Sequence, residues 1–142
     1  MKRILPILLV LSFSVPFCGL LYAQQDAEFG TVFTMTFLNI PRENMDEFRE
    51  MWEKDIYALE KQIEEVLSIK YYVHWWGPEW NVLIVTEYKN LGDMEIADKK
   101  YDELYEKKYP DKNERDKIRN KRRKYWNNHF DAIVRDIPRL SK

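Results

Sequence analysis

The sequence predicts an α+β domain in which helices cover one face of a four-stranded antiparallel sheet. Three observations predict it. Segments 31–38, 68–76 and 80–89 are built of β-favouring residues that alternate or run apolar. Between the first two, apolar residues recur every three or four positions, the mark of an amphipathic helix. Two further helical stretches precede a last short alternating segment at 129–134. Read in order this is βαββ, a helical region, then β.

In the first strand Phe33, Met35 and Phe37 share one face, and Val32, Thr34, Thr36 and Leu38 the other. Pro41 ends it, and Glu43, Asp46 and Glu47 place negative charge where a helix N-terminus favours it. Met45, Phe48, Trp52, Ile56, Leu59, Ile63 and Val66 then predict a helix of about six turns. In the second strand Ile69, Tyr71, Val73 and Trp75 oppose Lys70, Tyr72, His74 and Trp76. Gly77-Pro78-Glu79 turns the chain into a third strand centred on Val82-Leu83-Ile84-Val85, which completes a hairpin. Asn90 and Gly92-Asp93 open a second helix carrying Met94, Ala97, Tyr101, Leu104 and Tyr105, which Pro110 stops. A third runs from about 113 to 127, with Ile118, Tyr125 and Trp126 as its apolar contacts.

The N-terminus carries Lys2 and Arg3, an apolar run at 4–11, and Leu21-Tyr22-Ala23 before polar Gln24. That is the order of a cleavable secretory signal, so residues 1–23 are expected to be removed and 24–142 to form one exported domain, periplasmic or extracellular. A retained membrane anchor is the alternative, since 4–22 approaches the roughly 20 residues a span requires. Pro6 and Pro16 interrupt that stretch, and stable insertion after cleavage is not expected. Phe17 before Cys18 speaks against a lipoprotein signal. Cleavage removes Cys18, the only cysteine, and with it any disulfide or thiolate-bound metal. Lys2 and Arg3 leave too, so 23 basic residues fall to 21 against 24 acidic, a net charge of −3. The basic block Arg119, Lys121, Arg122, Arg123 and Lys124 is therefore expected to be a solvated helix face, with no nucleic-acid partner.

Helices on one side leave the other side of the sheet bare, with Tyr72 and Trp76 expected on it. Apolar patches of that kind are seldom left in water, and pairing two sheets face to face in a homodimer would bury them. With Tyr109-Pro110-Asp111, Glu114-Arg115, Lys124-Tyr125-Trp126 and His129-Phe130-Asp131-Ala132-Ile133, the chain resembles the dimeric α/β-barrel superfamily. Within it, the chain resembles small exported bacterial proteins of unknown function. The resemblance implies a ferredoxin-like βαββαβ domain that pairs through its sheet. It also implies kinship with antibiotic-biosynthesis-type monooxygenases, haem-degrading enzymes, chlorite dismutase-like proteins and NIPSNAP-type proteins.

His74 and His129 are the only histidines. His74, beside Tyr72 and Trp76, is open to two readings: the floor of a pocket that moves a proton or ligates haem iron, and an interface histidine satisfied by a local partner. His129 and Asp131 form an imidazole–carboxylate pair if their segment is extended, either a catalytic device or a helix-to-strand cap. No third ligand stands at a metal spacing, and the sequence specifies no cofactor. Strand parity places a ligand site on the Tyr72–His74–Trp76 face, with Thr34, Thr36 and Tyr88 as neighbours. Two functions are open: an exported protein that binds a small apolar or aromatic ligand in an aromatic-lined cavity, and a cofactor-light monooxygenase or haem-binding enzyme.

Overall fold

The computed structural model describes residues 29–73 and 79–141. The expected signal segment and the expected site residues His74 and Trp76 lie outside them. The chain divides into two compact units, one of residues 31–136 and one that includes 29–30 and 137–141. In the second, Pro138–Leu140 makes a single 3-10 turn.

The larger unit holds four strands, β1 (Val32–Leu38), β2 (Val66–Val73), β3 (Val82–Tyr88) and β4 (Phe130–Arg135). They form one antiparallel sheet in the order β2-β3-β1-β4. With its helices this is the expected α+β class, and the strand order is compatible with a ferredoxin-like fold.

Helix α1 starts as a 3-10 turn (Arg42–Asn44), continues as α-helix (Met45–Trp52), widens to a π-helix (Glu53–Tyr57) and closes on Ala58–Glu60. It is shorter than its apolar spacing predicts. The Gln62 amide donates to the Ala58 carbonyl at 2.6 Å, and the Ile63 N–H bonds the Glu60 carbonyl in a tight turn. Ile63 is buried inside that turn, and Val66 already belongs to β2. Their spacing records burial on one side of the chain, which a turn and a strand end supply as well as a helix does.

Helix α2 (Leu91–Lys108) is capped by Asn90, whose side-chain oxygen accepts the Asp93 N–H at 2.9 Å. Asp111 caps α3 (Lys112–Trp126) in the same way through the Asn113 N–H at 2.8 Å. Each cap satisfies one of the donors a helix start leaves unpaired.

The principal core lies between α1, α3 and the sheet, where Phe48, Met51, Trp52 and Ile56 meet Leu38, Val82, Ile84 and Tyr125. Helix α2 adds Ala97 against Ile63 and Tyr88, and Tyr105, with Tyr109 just past its end, against Leu59. Near the start of α1, Glu47 accepts the Tyr125 hydroxyl at 2.7 Å and pairs with Lys121 and Lys124 at 3.2 and 3.5 Å. The tyrosine hydrogen bond foremost, then Lys121, holds its carboxyl down at about 2.

Register decides which residues see the helices. Ile84 and Leu38 are in the helix-side core, Ile84 is opposite Thr36 and Tyr71, and Thr86 is opposite Thr34 and Ile69. Val32, Thr34, Thr36 and Leu38 therefore face the helices, together with Thr86, Tyr88, Tyr71 and Asp131. Phe33, Met35, Phe37, Leu83, Val85, Tyr72, Phe130 and Val134 stand on the opposite face.

Candidate functional site

Three threonines leave space at the centre of the helix-facing sheet. Thr34 and Thr86 are direct cross-strand partners, and Thr36 lies beside them, where larger side chains at Leu38 and Val82 fill the end of the layer. Above them a cavity of about 370 Å³ opens, within the range of small-molecule sites. Trp52 and Trp126 bring indoles from α1 and α3; Ile56, Ile84 and Met94 supply aliphatic wall. Its polar lining is Tyr88, Glu60, Asp98, Arg122, Asp131 and the threonines. A second cavity of about 180 Å³ adjoins it, and Glu60, Tyr88, Asp98 and Arg122 line both.

Glu60 sits at this shared wall with its Oε2 atom buried and without a hydrogen-bond partner among the described residues. Burial pushes its carboxyl up to about 7; Asp98 adds to the shift and Arg122 opposes it. At neutral pH the group is divided between acid and carboxylate. Burial, then the nearby Glu60, raises the Tyr88 phenol to about 12, so that it is a neutral hydroxyl under ordinary conditions.

Among the described residues Arg122 is the single cation lining these cavities, and it is held by other groups. It donates to the Tyr101 hydroxyl at 3.0 Å, and its guanidinium lies 5.6 Å from the Trp126 ring and 5.8 Å from the Tyr101 ring. Tyr101 in turn donates to the Asp55 carbonyl at 3.0 Å. Asp55 lies in the π-helical turn, where the widened backbone leaves carbonyls for side-chain donors; the Lys54 carbonyl accepts the Lys108 ammonium. The buried Asp55 carboxylate accepts the Tyr109 hydroxyl at 2.5 Å. Through these bonds α2 fixes the π-turn and Arg122 together.

The His129–Asp131 pair forms. His129 Nδ1 meets the Trp126 carbonyl at 2.5 Å, its Nε2 lies 2.9 Å from Asp131, and the other Asp131 oxygen accepts the Thr36 hydroxyl at 2.7 Å. The chain of contacts ties the last residue of α3 to β4 and β1, which is the work of a helix-to-strand clasp. Both ring nitrogens face oxygen atoms, so neither is open to a metal or a substrate proton in this arrangement. Among the described residues no group of three or more His, Cys, Asp or Glu side chains has metal-binding geometry.

The sheet separates the residues expected to share a ligand site. Tyr72 is on the face away from the helices and 46% exposed, whereas Thr34, Thr36 and Tyr88 are on the helix side, where they line the larger cavity. Parity within each strand is as expected; the relation between strands is not, because Val82-Leu83-Ile84-Val85 is apolar on both faces and gives no sign of which set goes inward. Glu60, Asp98, Arg122, Trp52 and Trp126 were not expected at the site. Two of them carry a sequence signal. Glu60 extends the Trp52–Ile56 stripe by four residues, and Arg122 lies between Ile118 and Trp126 at the same spacing, so each is a charge on an apolar stripe. The basic block is thus not wholly a solvated face: Lys121 and Lys124 pair with Glu47 at the surface, and Arg122 turns inward.

No protein-family model matches the chain, and neither curated proteins nor solved structures yield a significant match.

Proposed function

We propose that this chain is an exported protein that binds a small molecule with an apolar or aromatic body in the cavity between its sheet and helices. The cavity carries the proposal: two indoles and aliphatic side chains form its walls, and a few isolated polar groups interrupt them. The ligand site moves from the open face, where the sequence places it, to the other side of the same sheet. Ligation of a metal through His129 Nε2 would displace Asp131 from that nitrogen.

The test uses 2-phenylethanol as a neutral aromatic probe, titrated by calorimetry into the full chain and into Thr34→Phe, whose added ring occupies the cavity. The unaltered protein is expected to bind and the variant to lose binding while keeping its circular dichroism spectrum. Absence of binding to the unaltered protein, or equal binding by the variant, overturns the proposal.

The open face supports a homodimer as its assembly. Phe33, Met35, Phe37, Leu83 and Val85 form an apolar centre, and Phe130 and Tyr72 at its flanks are 65% and 46% exposed. Sedimentation at micromolar concentration should show a dimer that Tyr72→Glu shifts toward monomer; a monomeric unaltered protein would refute the pairing.

A further inference from the structure

The cavity's polar groups are unbalanced. Among the described residues three carboxyl groups, Glu60, Asp98 and Asp131, line it against the single guanidinium of Arg122. Asp131 is engaged by Thr36 and His129, and Asp98 is exposed to solvent at the cavity rim. Glu60 differs from both, because its Oε2 atom is buried and has no hydrogen-bond partner among the described residues. Arg122 borders the same two cavities but gives its hydrogen bond to Tyr101 and lies against two aromatic rings. A buried acceptor without a donor is costly, and the cost is removed when a ligand supplies the donor.

We propose that the ligand of this cavity carries a protonated amine beside its apolar body, and that Glu60 is the residue that receives it. This rests on the cavity being the ligand site. The indoles of Trp52 and Trp126 suit an organic cation, whose charge is attracted to aromatic faces as well as to a carboxylate. An ammonium needs no reduction of the cavity's apolar wall, since its charge falls at the wall shared by the two cavities.

The groups facing Glu60 determine how binding depends on pH. They are Arg122 from α3, Asp98 and Tyr101 from α2, and Tyr88 from β3, with Asp131 and its partner His129 across the larger cavity. Burial holds a proton on Glu60 until about pH 7. A cation must displace that proton in acid solution and meets a carboxylate in alkaline solution, so its affinity rises with pH, whereas that of a neutral ligand does not.

The experiment compares 2-phenylethylamine with 2-phenylethanol, which differ only in the end group, at pH 5.5 and 8.5 by calorimetry. The preference for the amine over the alcohol is expected to increase about tenfold or more between the two pH values, in keeping with a charge-assisted hydrogen bond. Glu60→Gln should abolish that increase. His129→Gln should retain it, which separates Glu60 from the Asp131–His129 pair. An amine preference that is absent, flat with pH or preserved in Glu60→Gln overturns the assignment while the alcohol still binds. Failure of both probes to bind overturns the ligand site itself.

Discussion

Replacing Phe48 by alanine is expected to destabilise the protein by about 3–5 kcal/mol, the range for deleting a buried phenylalanine side chain. Phe48 is fully buried on α1. Its ring lies 5.2 Å from Tyr125 and 5.7 Å from Trp126, both on α3, and 6.4 Å from Tyr71 on β2. One side chain thus joins the sheet to two helices, and the cavity left by its removal cannot be closed by moving a single neighbour. Domains of this size have about 5–15 kcal/mol in total, so the variant should be close to unfolding at ordinary temperatures. Urea denaturation followed by circular dichroism measures the loss. Phe48→Leu, which retains most of the volume, should cost clearly less, and Glu50→Ala on the exposed side of α1 should remain within about 0.5 kcal/mol. A Phe48→Ala loss below that of Phe48→Leu would show that the ring does not join the sheet to these helices.

The same junction has a bearing on function. Trp126 both packs against Phe48 and walls the larger cavity, and the Arg122 guanidinium lies 5.6 Å from the same indole. Core packing therefore positions the site, and a loosened α3 would carry the indole and the guanidinium away together.

Much of the architecture was legible because local patterns report local structure. The alternation in 31–38, the apolar stripe from Met45 to Leu59, and the helix opening at Asn90 each lie where strand, helix and helix start are found. The π-helical turn at Glu53–Tyr57 was not legible, since widening a helix by one residue per turn changes the direction of Asp55 without altering the surrounding apolar spacing enough to detect. The site was legible in part. Thr34, Thr36 and Tyr88 were identified as polar breaks in an apolar wall, and they do line a cavity, but on the helix side. Hydrophobicity alone would bury Phe33, Met35 and Phe37 under the helices instead. That the threonines take this side is what opens the cavity, and it leaves the opposite face apolar.

Glu60→Gln is expected to stabilise the protein by about 3 kcal/mol at pH 8 and to have little effect near pH 4. Burial raises the carboxyl from 4.5 to about 7 on folding, with Asp98 adding to the shift and Arg122 opposing it. An acid whose folded value is raised is held protonated by the native state, so its contribution is fully present below pH 4.5. It is lost as pH rises through about 7. At about 1.4 kcal/mol per unit, that interval corresponds to about 3 kcal/mol. Glutamine keeps the shape and removes the ionisation, so the variant's stability should be level across this window where that of the unaltered protein falls. Glu47 acts in the opposite direction. Its carboxyl, held down at about 2 by Tyr125 and Lys121, favours the fold above pH 4.5 and loses that influence as the pH falls toward 2. Both proteins retain Glu47, so the difference between their urea-denaturation curves at pH 4, 6 and 8 isolates Glu60. Parallel pH profiles for the two would place the Glu60 carboxyl in water and remove the buried acceptor on which amine recognition depends.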